Sequence, residues 1–214
     1  MARRPLLQQG FVPFEAEART AGYRAVVGID EAGRGPLAGP VVAAAVLLPR
    51  QYSIPDLRDS KCLSAPQREV AYAAICAQAL AYGIGMVSHT QIDRHNILWA
   101  TKEAMRRAVQ HLGQEPDLLL IDGTARLLTA LEQRTIVRGD ALCASIAAAS
   151  ILAKVTRDRL MLAYARRYPE YGFERHKGYP TPEHYTRLRR YGPCAIHRRS
   201  FRGVVPPSAA GVSA

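Results

Sequence analysis

Residues 24–49 read RAVVGIDEAGRGPLAGPVVAAAVLLP. An apolar run of β character, Ala25 to Ile29, delivers two adjacent carboxylates, Asp30 and Glu31, into a glycine-rich turn, and a second apolar run, Val41 to Leu48, leads away. That is the pattern of a β-hairpin with acid at its mouth. Ending a buried strand in two uncompensated negative charges is unfavourable, so a cation is expected there, and a divalent metal ion is the economical one. The competing local reading is a pair of solvated turn residues. Consecutive strand residues point to opposite faces, so the two acids share one site only if the chain leaves regular β geometry near Glu31. Gly33 and Gly35 make that departure easy. The spacing of Gly33, Gly35 and Gly39 is close to a dinucleotide-binding fingerprint, but the last glycine is one residue too far and a β-like run follows it where a helix is needed.

Working outward, other apolar segments also end in acid. Leu118 to Ile121 closes in Asp122-Gly123, and Thr135 to Gly139 is a fifth strand candidate closing in Asp140; an Asp-Gly turn and a helix N-cap are the local alternatives. Ala81 to Ser88 reads as the third strand. A short helix is expected near Glu15 to Thr20. Ser64 with Gln67 is a capping box for a helix through Val70, Ala74, Ile75 and Leu80. Thr90 with Asp93 caps another, whose apolar face is Ile92, Ile97, Ala100, Ala104, Ala108 and Leu112. Residues 142–167 form a long helix, apolar all round up to Ala153 and therefore buried, with Lys154, Arg157 and Asp158 on an emergent second half. Asp158 is spaced to pair with Lys154. Strands alternating with helices in this order suit a mixed sheet covered on both faces. Neighbouring strand ends can bring Asp30, Glu31, Asp122 and Asp140 together, and an all-oxygen ligand set suits Mg²⁺ or Mn²⁺ rather than zinc.

The chain of 214 residues carries a formal net charge of +11 with a pI near 9.9, which points to a polyanionic partner. Nucleic acid is favoured over a membrane, since no stretch approaches spanning length. The four cysteines, Cys62, Cys76, Cys143 and Cys194, are scattered without a C-x-x-C pair, arguing against a zinc site or disulfide framework. A cytoplasmic protein is expected, and the N-terminus has no continuous apolar core of a secretory signal. From Tyr168 onward Arg175, Lys177, Arg187, Arg189, Arg190, Arg198, Arg199 and Arg202 interleave with aromatics, a nucleic-acid-binding composition. The organisation expected is a tail and short helix (1–22), a catalytic domain (23–167), a basic substrate-binding extension (168–202) and a disordered tail (203–214).

GIDEAGRGPLAGPVVAAAV closely resembles the N-terminal signature of the ribonuclease HII family, which cuts the RNA strand of RNA-DNA hybrids and DNA carrying single ribonucleotides. D-S-K at 59–61, HNILWATKEAM at 95–105, GDALCASIAAASILAKVTRD at 139–158 and H-K-G-Y at 176–179 are similar to further segments of that family. The resemblance implies a ribonuclease H-like three-layer fold, with a mixed five-stranded sheet, helices on both faces and a small C-terminal helical extension. It implies that Asp30, Glu31, Asp122 and Asp140 are catalytic and hold Mg²⁺ or Mn²⁺ in a two-metal site, leaving 5′-phosphate and 3′-hydroxyl ends. It also implies that Gly33, Arg34 and Gly35 sense the 2′-hydroxyl, that Tyr179 stacks on the sugar at the RNA-DNA junction, and that Ser60, Lys61, Asn96 and Lys177 contact nucleic acid. Cys62 and Trp99 depart from the family's usual residues. A monomer is expected, with a replication clamp or polymerase as a conceivable partner.

Overall fold

The computed structural model describes residues 11–57 and 63–204. The opening stretch forms the hairpin: β1 (Val26–Ala32) pairs antiparallel with β2 (Val41–Leu47), Glu31 opposite Ala43 and Ala32 opposite Val42. Regular pairing therefore continues past Glu31, and the chain leaves it only at Gly33, whose φ of +97° lies in the left-handed region. β3 (Ala81–Val87) pairs antiparallel with β2, while β4 (Leu118–Asp122) runs parallel to β1 and β5 (Glu132–Ile136) parallel to β4. The sheet order is β3-β2-β1-β4-β5.

Both faces of the central strands are covered, which is why those strands read as unbroken apolar runs. Val27, Ile29, Ala43 and Ala45 pack under α4 (Ile97–Gln110) through Ala100, Ala104 and Ala108. Ala44 and Val46 face α2 (Ala65–Gln78) and α6 (Ala144–Arg167) through Ala71, Ile75, Ala147, Ala148 and Ile151. At Gly28 helix α6 crosses so closely that a Cβ would lie 2.2 Å from the Ser145 carbonyl carbon, so only glycine fits. The first helix, α1 (Phe14–Thr20), packs Ala18 into a cluster with Val26, Leu118, Leu120 and Ile146.

Several expectations shift. The capping box of α2 forms as read, but the helix ends at Gln78, leaving Leu80 outside it and both Leu80 and Val70 exposed. The helix expected from Thr90 is two: α3 (His89–His95), capped by Ser88 through Gln91 N–H, and α4, separated at Asn96 with φ of 84°. Asp93 instead accepts the backbone N–H groups of Arg199 and Ser200. The fifth strand, Glu132–Ile136, begins three residues before the expected Thr135–Gly139 and shares only Thr135 and Ile136 with it; beyond it Arg138 adopts φ of 57° and the chain turns into a one-turn helix, α5 (Gly139–Leu142). Trp99 is partly buried and 38% exposed, its ring centroid 4.2 Å from that of His95.

The C-terminal segment comprises a 3-10 turn (Pro169–Tyr171), α7 (Phe173–His176) and α8 (Pro182–Tyr191), the last capped by Thr181. Tyr171, Phe173, Leu188, Ile196 and Val204 bury against Leu37, Ala38 and Met161. The segment thus locks onto the loop after β1 and the second half of α6. Val204 is 2% exposed, so the tail expected to be disordered from 203 is ordered at its start; residues 205–214 and 1–10 lie outside those described.

Candidate active site

Parallel pairing carries β1 and β4 side by side, and their C-terminal ends present Asp30 and Asp122 on neighbouring strands. Asp122 is the last residue of β4, and its Oδ1 accepts the Gly139 N–H at 2.6 Å. That bond ties down the turn bearing Asp140, which sits buried at the start of α5 rather than at a strand end. Asp30 is 6% exposed and accepts the Glu31 N–H through Oδ1 at 2.7 Å. Burial pushes its carboxyl well above the usual range, and repulsion from Glu31, then Asp122, and more weakly Asp140 pushes the same way. Glu31 is also raised by burial, opposed by Arg34, whose guanidinium stands 3.4 Å away. The four predicted acids thus meet, near enough for each to oppose the ionisation of Asp30.

Their all-oxygen donor set, with this mutual repulsion to be relieved, fits a hard divalent cation. Among the described residues no group of three or more His, Cys, Asp or Glu side chains is yet arranged to hold a metal ion.

Beside the acids opens a cleft of about 430 Å³ lined by Glu31, Gly33, Arg34, Gly35, Arg68, Lys154 and Tyr179, among others. The Tyr179 ring is 38% exposed and stands 3.9 Å from where a Cβ of Gly35 would be. It is therefore a cleft wall and not a core residue beside Pro180. The Lys154 ammonium and Arg157 guanidinium each lie 5.6 Å from its ring centroid. Lys154 also pairs with Asp158 at 2.8 Å, as its spacing implied. Lys177 lies beside the cleft without lining it, and its ammonium turns to the Glu174 carbonyl. Asn96 is exposed, caps α4 through the Trp99 N–H at 3.0 Å, and does not line the cleft. Ser60 and Lys61 lie outside the described residues.

Two arginines expected at the surface are completely buried, and they shape the cleft. Arg157 donates to the carbonyls of Pro40, Ala38 and Lys177, each at 3.0 Å. Arg198 donates to Gly39, Arg34 and Gly33 at 2.9, 3.0 and 2.6 Å. Neither makes an ion pair among the described residues; six carbonyls satisfy both charges. Burial, and for Arg198 the neighbouring Arg157 charge, push both guanidinium pKa values down. Because a trans peptide sets C=O and N–H in opposite directions, drawing the Gly33 and Arg34 carbonyls inward directs the N–H groups of Arg34 and Gly35 away from the buried cation. The sequence did carry a trace of Arg157: it shares helical spacing with Ala153, Met161 and Ala165, all buried. Arg198 had none beyond its neighbour Ile196.

The ribonuclease HII family profile matches residues 27–204. A ribonuclease HII of Syntrophus aciditrophicus is 54% identical over 193 residues, covering 90% of this chain and 91% of its own. One from Geobacillus kaustophilus is 53% identical over 206 residues, 95% of this chain and 79% of its own. Among solved structures, the ribonuclease H2 of Pyrococcus horikoshii superposes with a TM-score of 0.74 at 27% identity, covering 85% of this chain and 95% of that one. The Archaeoglobus fulgidus ribonuclease HII, solved as a complex with PCNA, gives 0.69 at 25% identity, covering 82% and 95%. The mixed five-stranded sheet is thus the ribonuclease H-like fold. With relatives more than half identical across nine-tenths of its length, the chain belongs to the ribonuclease HII family, endonucleases of the ribonuclease H class.

Proposed function

We propose that this protein hydrolyses the RNA strand of RNA-DNA hybrids and cuts duplex DNA on the 5′ side of single embedded ribonucleotides, leaving 5′-phosphate and 3′-hydroxyl ends. The observation that carries this reading is the meeting of Asp30, Glu31, Asp122 and Asp140 beside a cleft walled by Gly33-Arg34-Gly35 and Tyr179. The acids would hold Mg²⁺ or Mn²⁺, a pair of which, when bound, supplies an activated water and stabilises the attacking and leaving oxygens of a phosphodiester. Asp122, through Gly139, keeps Asp140 in register with the ends of β1 and β4.

Telling RNA from DNA requires contact with the 2′-hydroxyl. The turn from Gly33 to Gly35 offers backbone that a sugar can approach closely, held by Arg198, and Tyr179 offers a ring face to the adjoining sugar. Lys177 and Asn96 remain contacts at the margin of the site, and Ser60 and Lys61 phosphate contacts. We assign residues 23–167 as the catalytic domain and 168–202 as a basic extension that binds the duplex. The Archaeoglobus relative's complex with PCNA supports a sliding clamp as partner. Among the described residues no helix is long and apolar enough to cross a membrane; we propose a cytoplasmic monomer acting on nucleic acid.

The test is cleavage of a labelled DNA duplex containing one ribonucleotide, with Mg²⁺ or Mn²⁺, beside an all-DNA duplex. Wild type should cut 5′ of the ribonucleotide and spare the control, and Asp122→Asn should lose roughly a hundredfold or more in rate. Binding without cutting under either metal would leave only a nucleic-acid-binding protein. Equal cutting of the control would leave a nuclease without ribonucleotide specificity.

A further inference from the structure

Behind Tyr179 the C-terminal segment holds three imidazoles against one another. His184 and His197 are 0% and 1% exposed, with their Nε2 atoms 3.0 Å apart. His176 stacks on His184 with ring centroids 4.4 Å apart. Buried imidazoles are unfavourable unless each ring nitrogen has a partner, and here the partners fix every proton. The Tyr179 carbonyl, 3.0 Å from His184 Nδ1, can only accept, so Nδ1 carries the hydrogen and Nε2 presents a lone pair. His197 Nε2 must then donate to it, which leaves His197 Nδ1 to accept. It does so from the Cys194 N–H at 3.0 Å. By the same logic His176 donates from Nε2 to the Tyr171 carbonyl and accepts the Gly178 N–H at Nδ1.

The grip falls where the backbone needs it. Lys177 and Gly178 are both left-handed, with φ of 49° and 83°, an arrangement that persists only when its surroundings determine it. His176 holds the Gly178 N–H and His184 the Tyr179 carbonyl, so the strained turn is fixed on both sides of the residue whose ring enters the cleft. Packing alone would be served by apolar side chains; a fully satisfied polar chain specifies one geometry.

We propose that His184 is a positioning residue for substrate recognition: the one-way hydrogen-bond chain from Cys194 through His197 and His184 to the Tyr179 carbonyl sets the Tyr179 ring in the cleft. This rests on Tyr179 being the residue that meets the sugar at the RNA-DNA junction. Protonating either ring would put a second N–H where a lone pair is required. The groups facing the pair are His176 from α7, Tyr171 from the 3-10 turn, Glu183 on α8, Cys194, and His89 from α3. Burial, His176 and, for His197, the His184 ring outweigh the opposing groups and push His184 down to about 4 and His197 to about 3. The chain is therefore intact at neutral pH.

Imidazole nitrogen NMR of the full-length protein at neutral pH should show His184 as the Nδ1–H tautomer and His197 as the Nε2–H tautomer; the reverse assignment would overturn the chain. Kinetics on a duplex with one ribonucleotide then compare Tyr179→Ala, His184→Leu and His184→Asn, whose amide keeps a donor near the Nδ1 position. His184→Leu should raise KM roughly tenfold with kcat nearly unchanged, the scale of one lost hydrogen bond. His184→Asn should recover most of that KM although it loses as much thermal stability. KM following thermal stability equally in both variants would make His184 merely structural. An unchanged KM in His184→Leu, with KM raised in Tyr179→Ala, would sink the positioning role alone. An unchanged KM in Tyr179→Ala would remove the junction reading and the inference with it.

Discussion

Asp30 concentrates the electrostatic strain of the site. Enclosed and facing Glu31, Asp122 and Asp140, its carboxyl has a pKa raised well above the ordinary range, so the folded state holds a proton that the unfolded chain releases. The stability this proton brings is lost as pH rises from the ordinary carboxylate range through the raised value. In chelator at neutral pH, Asp30→Asn should therefore melt higher than wild type, by roughly 2–4 °C for each kcal/mol relieved, while losing cleavage. Asparagine keeps an oxygen to accept the Glu31 N–H. A variant no more stable than wild type would remove the burial and repulsion of the Asp30 charge as a source of strain. The acids were legible because each closes or follows an apolar run. Arg198 was not, and Arg157 only faintly, because a charged side chain is exposed by default and all but one of their six carbonyl partners lie in a loop more than a hundred residues away.

At the scale of elements, the hairpin and α6 decide whether the cleft exists, and they meet at Gly28. A Cβ there would lie 2.2 Å from the Ser145 carbonyl carbon and 2.4 Å from Ile146 N, backbone atoms that cannot swing aside. Gly28→Ala should shift α6 off the sheet and destabilise the protein by about 1–3 kcal/mol or more, read from the urea midpoint. Gly35→Ala is the contrast: its Cβ meets only Tyr179, at 3.9 Å. Stability should stay within about 0.5 kcal/mol, while KM for the ribonucleotide-containing duplex rises because the sugar's approach is blocked. Equal loss of stability in both would mean the turn is as tightly packed as the sheet crossing. The apolar runs of β1, β2 and β4 were readable because both their faces are buried. β5 was placed three residues too far along the chain because it is an edge strand, EQRTI, in which only Ile136 is buried. The break between α3 and α4 was missed because the apolar spacing runs on across it, although Asn96 turns the backbone.

For the whole molecule, the net charge of +11 states a preference for polyanions but not where they bind, and pairing redistributes it. Arg175 and Arg187 are tied to Glu183, and Arg198 is buried, so the basic extension is less free than its composition suggests. Arg189 and Arg190, exposed on α8, and Arg199 and Arg202 beyond it remain for phosphate contact. Such contacts position a duplex without reading a ribonucleotide. Binding of the cleavage-deficient Asp122→Asn protein to a ribonucleotide-containing duplex should weaken steeply with salt, log affinity falling by about 0.9 per phosphate neutralised for each tenfold rise. Replacing both Arg189 and Arg190 with glutamine should make that slope shallower by about 1–2 and leave the ratio of affinities for ribonucleotide-containing and all-DNA duplexes unchanged. An unchanged slope would place the duplex elsewhere on the surface. A changed ratio would mean that Arg189 and Arg190 themselves take part in reading the sugar, a role their solvent-facing positions do not otherwise suggest.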